Sequence, residues 1–110
     1  MKVLVCGGRD FHDLNLLYET LDSLDPKPTL IIHGAANGAD ILSGHWAKKR
    51  GIPVKEYPAD WNKYGRSAGL VRNTAMLKEE PDLVVAFPGG NGTAHMSLSA
   101  RKNGIEVKEV

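Results

Sequence analysis

A chain of 110 residues is long enough for one domain whose core needs neither disulfides nor a structural metal. Its 14 basic and 13 acidic side chains nearly cancel, which argues against a bulk electrostatic hold on nucleic acid or an anionic membrane, and its single cysteine excludes an internal disulfide and a cysteine-based zinc cluster. No apolar run approaches the length of a bilayer crossing, and Met1-Lys2 leads into a short apolar run and then a Gly-Gly turn, so neither a signal peptide nor an anchor is expected and the expected location is cytoplasmic.

Lys2–Cys6 reads as a strand, with Cys6 a buried, inert thiol, and Gly7-Gly8-Arg9-Asp10 as the turn after it. Leu14, Leu17, Leu21 and Leu24 fall at helical spacing behind a suitable N-cap, Asp13, and Asp25-Pro26-Lys27-Pro28 stops that helix. Thr29–His33 is the next strand. A Gly-Ala-rich turn leads into a helix from Ala39 to Arg50, with Leu42, Trp46 and Lys49 on one side and Gly51 as its C-terminal stop. Pro53–Tyr57 is a third strand, polar enough for a sheet edge. Pro58–Ser67 reads as a loop, and Ala68–Glu79 as a helix closed by Pro81. Asp82–Phe87 is nearly all apolar, as a parallel strand covered on both faces must be. The Pro88–Thr93 turn, a helix to about Lys102 and a strand over Ile105–Val110 complete the chain. Strands separated by helices make βαβ units, so the predicted class is α/β: one Rossmann-like three-layer sandwich over residues 1–110, with a parallel sheet of about five strands.

In such a sheet the ligand crevice lies beyond the carboxyl ends of the strands, and the glycines of this chain collect there: Gly7 and Gly8, Gly34 and Gly38, then Gly89, Gly90 and Gly92. The Pro88–Thr93 turn carries the strongest signal. Its glycines let backbone approach a ligand closely, and Thr93 stands at a helix start, where free amides and the dipole favour an anion. It is neither a P-loop, since no Lys follows, nor a dinucleotide fingerprint, since Thr93-Ala94-His95 follows where a third glycine is required. A plain tight turn with Thr93 as a cap is the alternative. Arg9 can fork onto a phosphate or pair with Asp10 or Asp13. Asp40 can cap a helix, accept a ribose hydroxyl or act as a base, and His33 is either a structural histidine or an acid–base group. Arg72 and Asn73 open a helix that should face the crevice, with Arg72 as a clamp or a solvated side chain; Trp61 and Tyr64 can stack on a base, form a lid or simply pack. His12, His45 and His95 show no metal-ligand spacing, so neither metal nor cofactor is expected.

These turns, in this order, resemble the SLOG superfamily in its YspA/YpsA-related branch of small bacterial and phage proteins. The likeness rests on Gly7-Gly8-Arg9-Asp10-Phe11, His33-Gly34 with Gly38-Ala39-Asp40, Ala59-Asp60-Trp61 and Tyr64-Gly65. It continues through Ala68-Gly69, Arg72-Asn73 and Met76 to Ala86–Gly90 and Gly92-Thr93, which is essentially the whole chain. The resemblance implies a Rossmann-like domain for nucleotides or nucleotide-derived ligands. More distant relatives include sensors of NAD-derived signals, the DNA-processing protein DprA and the lysine-decarboxylase-like LOG phosphoribohydrolases. LOG enzymes share Pro-Gly-Gly-x-Gly-Thr-x-x-Glu, whose phosphate-cradling part is intact at Pro88–Thr93; Met96 stands in the glutamate position and cannot carry a proton.

The expected function is therefore binding or sensing of a nucleotide or ribose-phosphate ligand. The alternative is an N-glycosyl hydrolase or transferase acting on a nucleoside monophosphate or NAD-derived nucleotide, with Asp40 replacing the glutamate. The expected partner is a nucleotide-like small molecule rather than a membrane or nucleic acid, and Met76, Leu77, Met96 and Leu98 offer an apolar face for a homodimer.

Overall fold

In the computed structural model, which describes residues 1–110, the strands are β1 (Lys2–Cys6), β2 (Leu30–His33), β3 (Val54–Glu56), β4 (Leu83–Ala86) and β5 (Glu106–Glu109). They form one sheet in the order β3-β2-β1-β4-β5, with every neighbouring pair parallel. The helices are α1 (Leu14–Asp22), α2 (Ala39–Arg50), α3 (Trp61–Tyr64), α4 (Ala68–Leu77) and α5 (Asn91–Lys102). The expected α/β class, parallel sheet and strand count are all present.

Strand position follows from side-chain chemistry. The apolar runs of β1 and β4 are buried along almost their whole length at the centre, while polar β3 and β5 take the two edges. Alternation along the strands splits the core into two layers. Val3, Val5 and Ile31 pack under Leu17 and Leu21 of α1 and Trp46 of α2; Leu4, Cys6 and Ile32 pack under Met76 of α4 and Met96 and Ala100 of α5. The result is the helix–sheet–helix sandwich that the alternating elements require.

Several local expectations need correction. Leu14 opens α1 yet is 45% exposed, and Leu24 lies beyond the end of that helix at Asp22, so only Leu17 and Leu21 of the leucine series anchor α1 to the sheet. Lys49 does not share the buried side of α2 with Trp46; it is exposed and its ammonium lies over the Tyr18 ring. The Pro58–Ser67 stretch is not a loop throughout. Asp60 caps the single turn of α3 by accepting from the Lys63 amide, and a 3₁₀ turn over Gly65–Ser67 leads into α4. Met76 and Met96 are core residues, 2% and 0% exposed, and cannot present a surface to a partner.

Candidate functional site

Since β1, β2 and β4 run parallel, their three glycine-bearing turns leave the sheet at the same end. The chain leaves β1 for the α1 layer and β4 for the α5 layer, so the neighbouring strands β1 and β4 part at a topological switch point. A cavity of about 370 Å³ opens there. The first turn contributes Gly7, Gly8 and Arg9 to its wall, the second Ala36 and Asp40, and the third Gly90, Gly92 and Thr93. Arg72 and Asn73 of α4 line it as well, and half-exposed Trp61 completes its wall.

The turns hold one another through backbone contact. The Gly8 amide donates to Pro88 O at 2.8 Å and the Phe87 amide to Cys6 O at 2.9 Å, joining the first and third turns. The second turn joins through Gly38, whose φ of 81° lies in the left-handed region and where a methyl group would run into the carbonyl oxygens of Gly8 and Arg9. A methyl group on Gly7 would stand 2.6 Å from the Ala39 side chain, and one on Gly89 2.6 Å from the Gly8 amide. Gly7, Gly38 and Gly89 are thus close-packing positions. Gly90 and Gly92 differ: a methyl group there would meet nothing within 4 Å, and both line the cavity. Gly90 caps α5 with no side-chain hydrogen bond, so the first-turn amides of that helix are left for another acceptor. Thr93 is therefore not the cap of its helix; it lies in the first turn with its hydroxyl close to Gly89.

The charged groups are unevenly distributed. Arg9, Arg66 and Arg72 line the cavity against a single carboxyl, Asp40. One Asp40 oxygen accepts from the amides of Gly34, at 3.1 Å, and Ala36, at 3.3 Å, so the side chain ties down its own turn. Burial pushes the Asp40 carboxyl up to about 6; the Ala36 amide, the Arg72 guanidinium and the Gly34 amide pull the other way and do not cancel it. Arg72 lies across Gly34 and donates through Nη1 to its carbonyl at 3.1 Å, while its buried Nε has no partner. Asn73, 4% exposed, donates through Nδ2 to Gly92 O at 3.4 Å and lies 3.2 Å from His95 Nδ1, which pins the third turn to α4. The Arg9 guanidinium lies 5.9 Å from the centre of the Trp61 ring, within cation–π range. Cys6 closes the floor, and burial pushes its thiol up to about 12, which leaves it protonated and non-nucleophilic.

Some candidate residues lie elsewhere. His33 is 1% exposed and turns away from the cavity toward α2: its Nδ1 accepts from the Ala35 amide at 3.0 Å and its Nε2 stands 3.8 Å from Glu56. Burial holds its pKa below the usual histidine range, so it is a neutral packing group. Gly34, Gly38, Pro88 and Gly89 support the turns without lining the cavity. Tyr64 is 41% exposed and also outside the lining, with the Lys63 ammonium over its ring. Met96, at the position of the LOG glutamate, is sealed in the core and contributes nothing to the cavity wall.

The profile of the YspA, cpYpsA-related SLOG family matches residues 1–64, more than half of the chain. A curated relative, the Gene 61 protein of Mycobacterium phage D29, is 35% identical over 96% of this chain and 93% of its own length. The chain belongs to the YspA, cpYpsA-related SLOG family. Among solved structures, the UDP-GlcNAc 2-epimerase of Neisseria meningitidis, determined with UDP-GlcNAc bound, superposes on this SLOG chain with a TM-score of 0.58 at 20% identity. The match covers 100% of the SLOG chain and 32% of the epimerase; at that identity the likeness is one of fold.

The sequence did not single out Cys6, Arg66, Gly69, Leu70 and Met76 as cavity residues of this SLOG protein. Arg66 had a signal: it lies just ahead of α4, the helix whose start was already expected to face the crevice. Cys6 had another, since it shares strand parity with Leu4, and that parity points to the α4–α5 layer where the cavity opens.

Proposed function

We propose that this SLOG protein binds a nucleotide-like ligand by its phosphate, held between the first turn and the start of α5. The observation that supports this most is the convergence in one cavity of three guanidiniums, the side-chain-free backbone of Gly90 and Gly92, and the uncapped start of α5. An anion there meets forked donors and a helix dipole of favourable sign. Trp61, half exposed at the rim beside Arg9, offers a flat apolar surface for a nucleobase. Hydrogen bonds to a charged group are worth roughly 1.5–3 kcal/mol, so losing one Arg9 contact should weaken binding by roughly 10- to 150-fold. Calorimetry with nucleoside mono- and diphosphates tests this. Binding at micromolar or tighter concentration without turnover is expected, with Arg9→Ala and Gly92→Val each losing most of the affinity; binding untouched by both substitutions would refute the phosphate cradle.

Asp40 supports a second reading, hydrolysis or transfer at an N-glycosidic bond. It is a buried carboxyl at the cavity wall with a pKa near 6, in the range that suits a general acid or base. Release of free base from nucleoside monophosphates, abolished in Asp40→Asn, would favour it. Absence of product across a broad nucleotide panel would leave binding alone.

A further inference from the structure

Helix α2 and the edge strand β3 enclose another cavity, of about 380 Å³, that shares no residue with the crevice. Ile41, Gly44 and Lys48 line it from α2 as one stripe at helical spacing. Val54 and Glu56, alternate residues on one face of β3, line it from the sheet, and Ile52 adds a third apolar side chain from the connection between the two elements.

His33, at the end of β2, lines the same cavity although it is only 1% exposed. Its Nδ1 accepts from the Ala35 amide, so the neutral ring carries its hydrogen on Nε2. That N–H has no hydrogen-bond partner in the protein, since the Glu56 carboxylate oxygen 3.8 Å away is beyond bonding distance. Gly44 leaves the nitrogen open: a methyl group there would stand 2.9 Å from it. A buried ring donor held open in this way is matched by an acceptor that comes from outside the chain.

The charges around it narrow the chemistry of that acceptor. Lys48 and Glu56 are exposed and opposite in sign, and neither forms an ion pair with another charged side chain. Glu56 repels a simple anion, while Lys48 and the His33 N–H have nothing to offer a simple cation. A zwitterion suits both walls: its carboxylate accepts from Lys48 and from His33 Nε2, and its ammonium donates to Glu56. His45, also in the wall and exposed, has a ring that can bond either end. Ile41, Ile52 and Val54 provide apolar contact for a hydrocarbon group, and the volume lies in the lower part of the roughly 300–1,000 Å³ range of small-molecule sites. We infer that the cavity between α2 and β3 binds a free α-amino acid with a branched apolar side chain, independently of the phosphate crevice.

Heteronuclear NMR titration of the full chain with L-valine, L-leucine and L-isoleucine tests this. At least one should give saturable shifts at Ala35, whose amide is bonded to the His33 ring, and at Gly44 and Val54, while Gly90 and Gly92 in the crevice stay still. The amine and the carboxylic acid that keep the same side chain but lack the other charged group should each bind roughly tenfold more weakly, the low end for losing a bond to a charged group. Glu56→Gln and Lys48→Gln, both at exposed positions, should each weaken the amino acid by a similar factor and leave the rest of the spectrum in place. No saturable shift with any of the three, shifts centred on the crevice, equal affinity for the amine or the acid, or an affinity unchanged in either variant would each overturn the inference.

Discussion

Gly7 and Gly92 look equivalent in the sequence, yet their surroundings assign them opposite duties. A side chain at Gly7 collides with Ala39 and Phe87, whereas one at Gly92 enters empty cavity. Gly7→Ala should therefore lower stability by roughly 1–3 kcal/mol, the usual range for an overpacked core. Gly92→Val should melt within about 2 °C of the wild type while losing its ligand. Denaturant titration read alongside calorimetry tests the contrast, and equal stability losses in the two variants would contradict it. Asp40 adds a pH signature. A carboxyl held at about 6 when folded, against an ordinary value of 3.8, keeps its proton more tightly in the native state. Its stabilising contribution is fully present below about 3.8 and is lost as pH rises to about 6, a change of roughly 3 kcal/mol for about two pH units. His33 works in the opposite direction: with its folded pKa lowered, its contribution is present above the ordinary 6.5 and is lost as pH falls. The difference between wild type and Asp40→Asn isolates the carboxyl, so the variant should gain stability relative to the wild type across pH 4–6. A difference that stays constant over that window would contradict the buried-carboxyl picture. At this scale the sequence marked which residues could act, but not which way they point. His33 sits at a strand end like Cys6, but strand parity sends it with Ile31 toward α2, away from the cavity.

Among the elements, α4 carries more of the site than its sequence suggests. Arg72 and Asn73 are neighbours, yet one reaches the β2–α2 turn and the other the β4–α5 turn. Asn73→Ala should cost about 1–2 kcal/mol through the lost ties to Gly92 and His95 and weaken the ligand several-fold without removing a charge. Unchanged denaturant midpoint and unchanged affinity in that variant would show that the third turn holds its shape without α4. The regular elements were readable because apolar runs bounded by Gly and Pro mark buried parallel strands, and leucine spacing with an Asp cap marks α1. α3 was not readable: four residues span barely one helical period, too few for a hydrophobic repeat to show, and none of them is buried. The boundary error at α1 has a similar origin. Leu24 remains partly buried against the first core layer although the helix ends at Asp22, so the apolar pattern outlasts the helix.

For the molecule as a whole, the alternation of elements predicted a parallel α/β sheet, and the family follows from the order of the motifs. What the sequence could not supply was the strand order β3-β2-β1-β4-β5, because pairing depends on which edges meet rather than on any one segment. That order puts β1 beside β4 and so brings turns from opposite ends of the chain into one crevice. The cavity and its cluster of guanidiniums both derive from this adjacency. Amide chemical shifts measured by heteronuclear NMR during a nucleotide titration test it most directly. Convergence predicts that Gly8, Arg9, Gly90, Gly92 and Thr93 shift together along one binding isotherm while Gly51 and Gly104, which lie outside that crevice, stay still. Shifts confined to a single turn, or centred on Gly51 and Gly104, would contradict a shared phosphate site at the β1–β4 switch point.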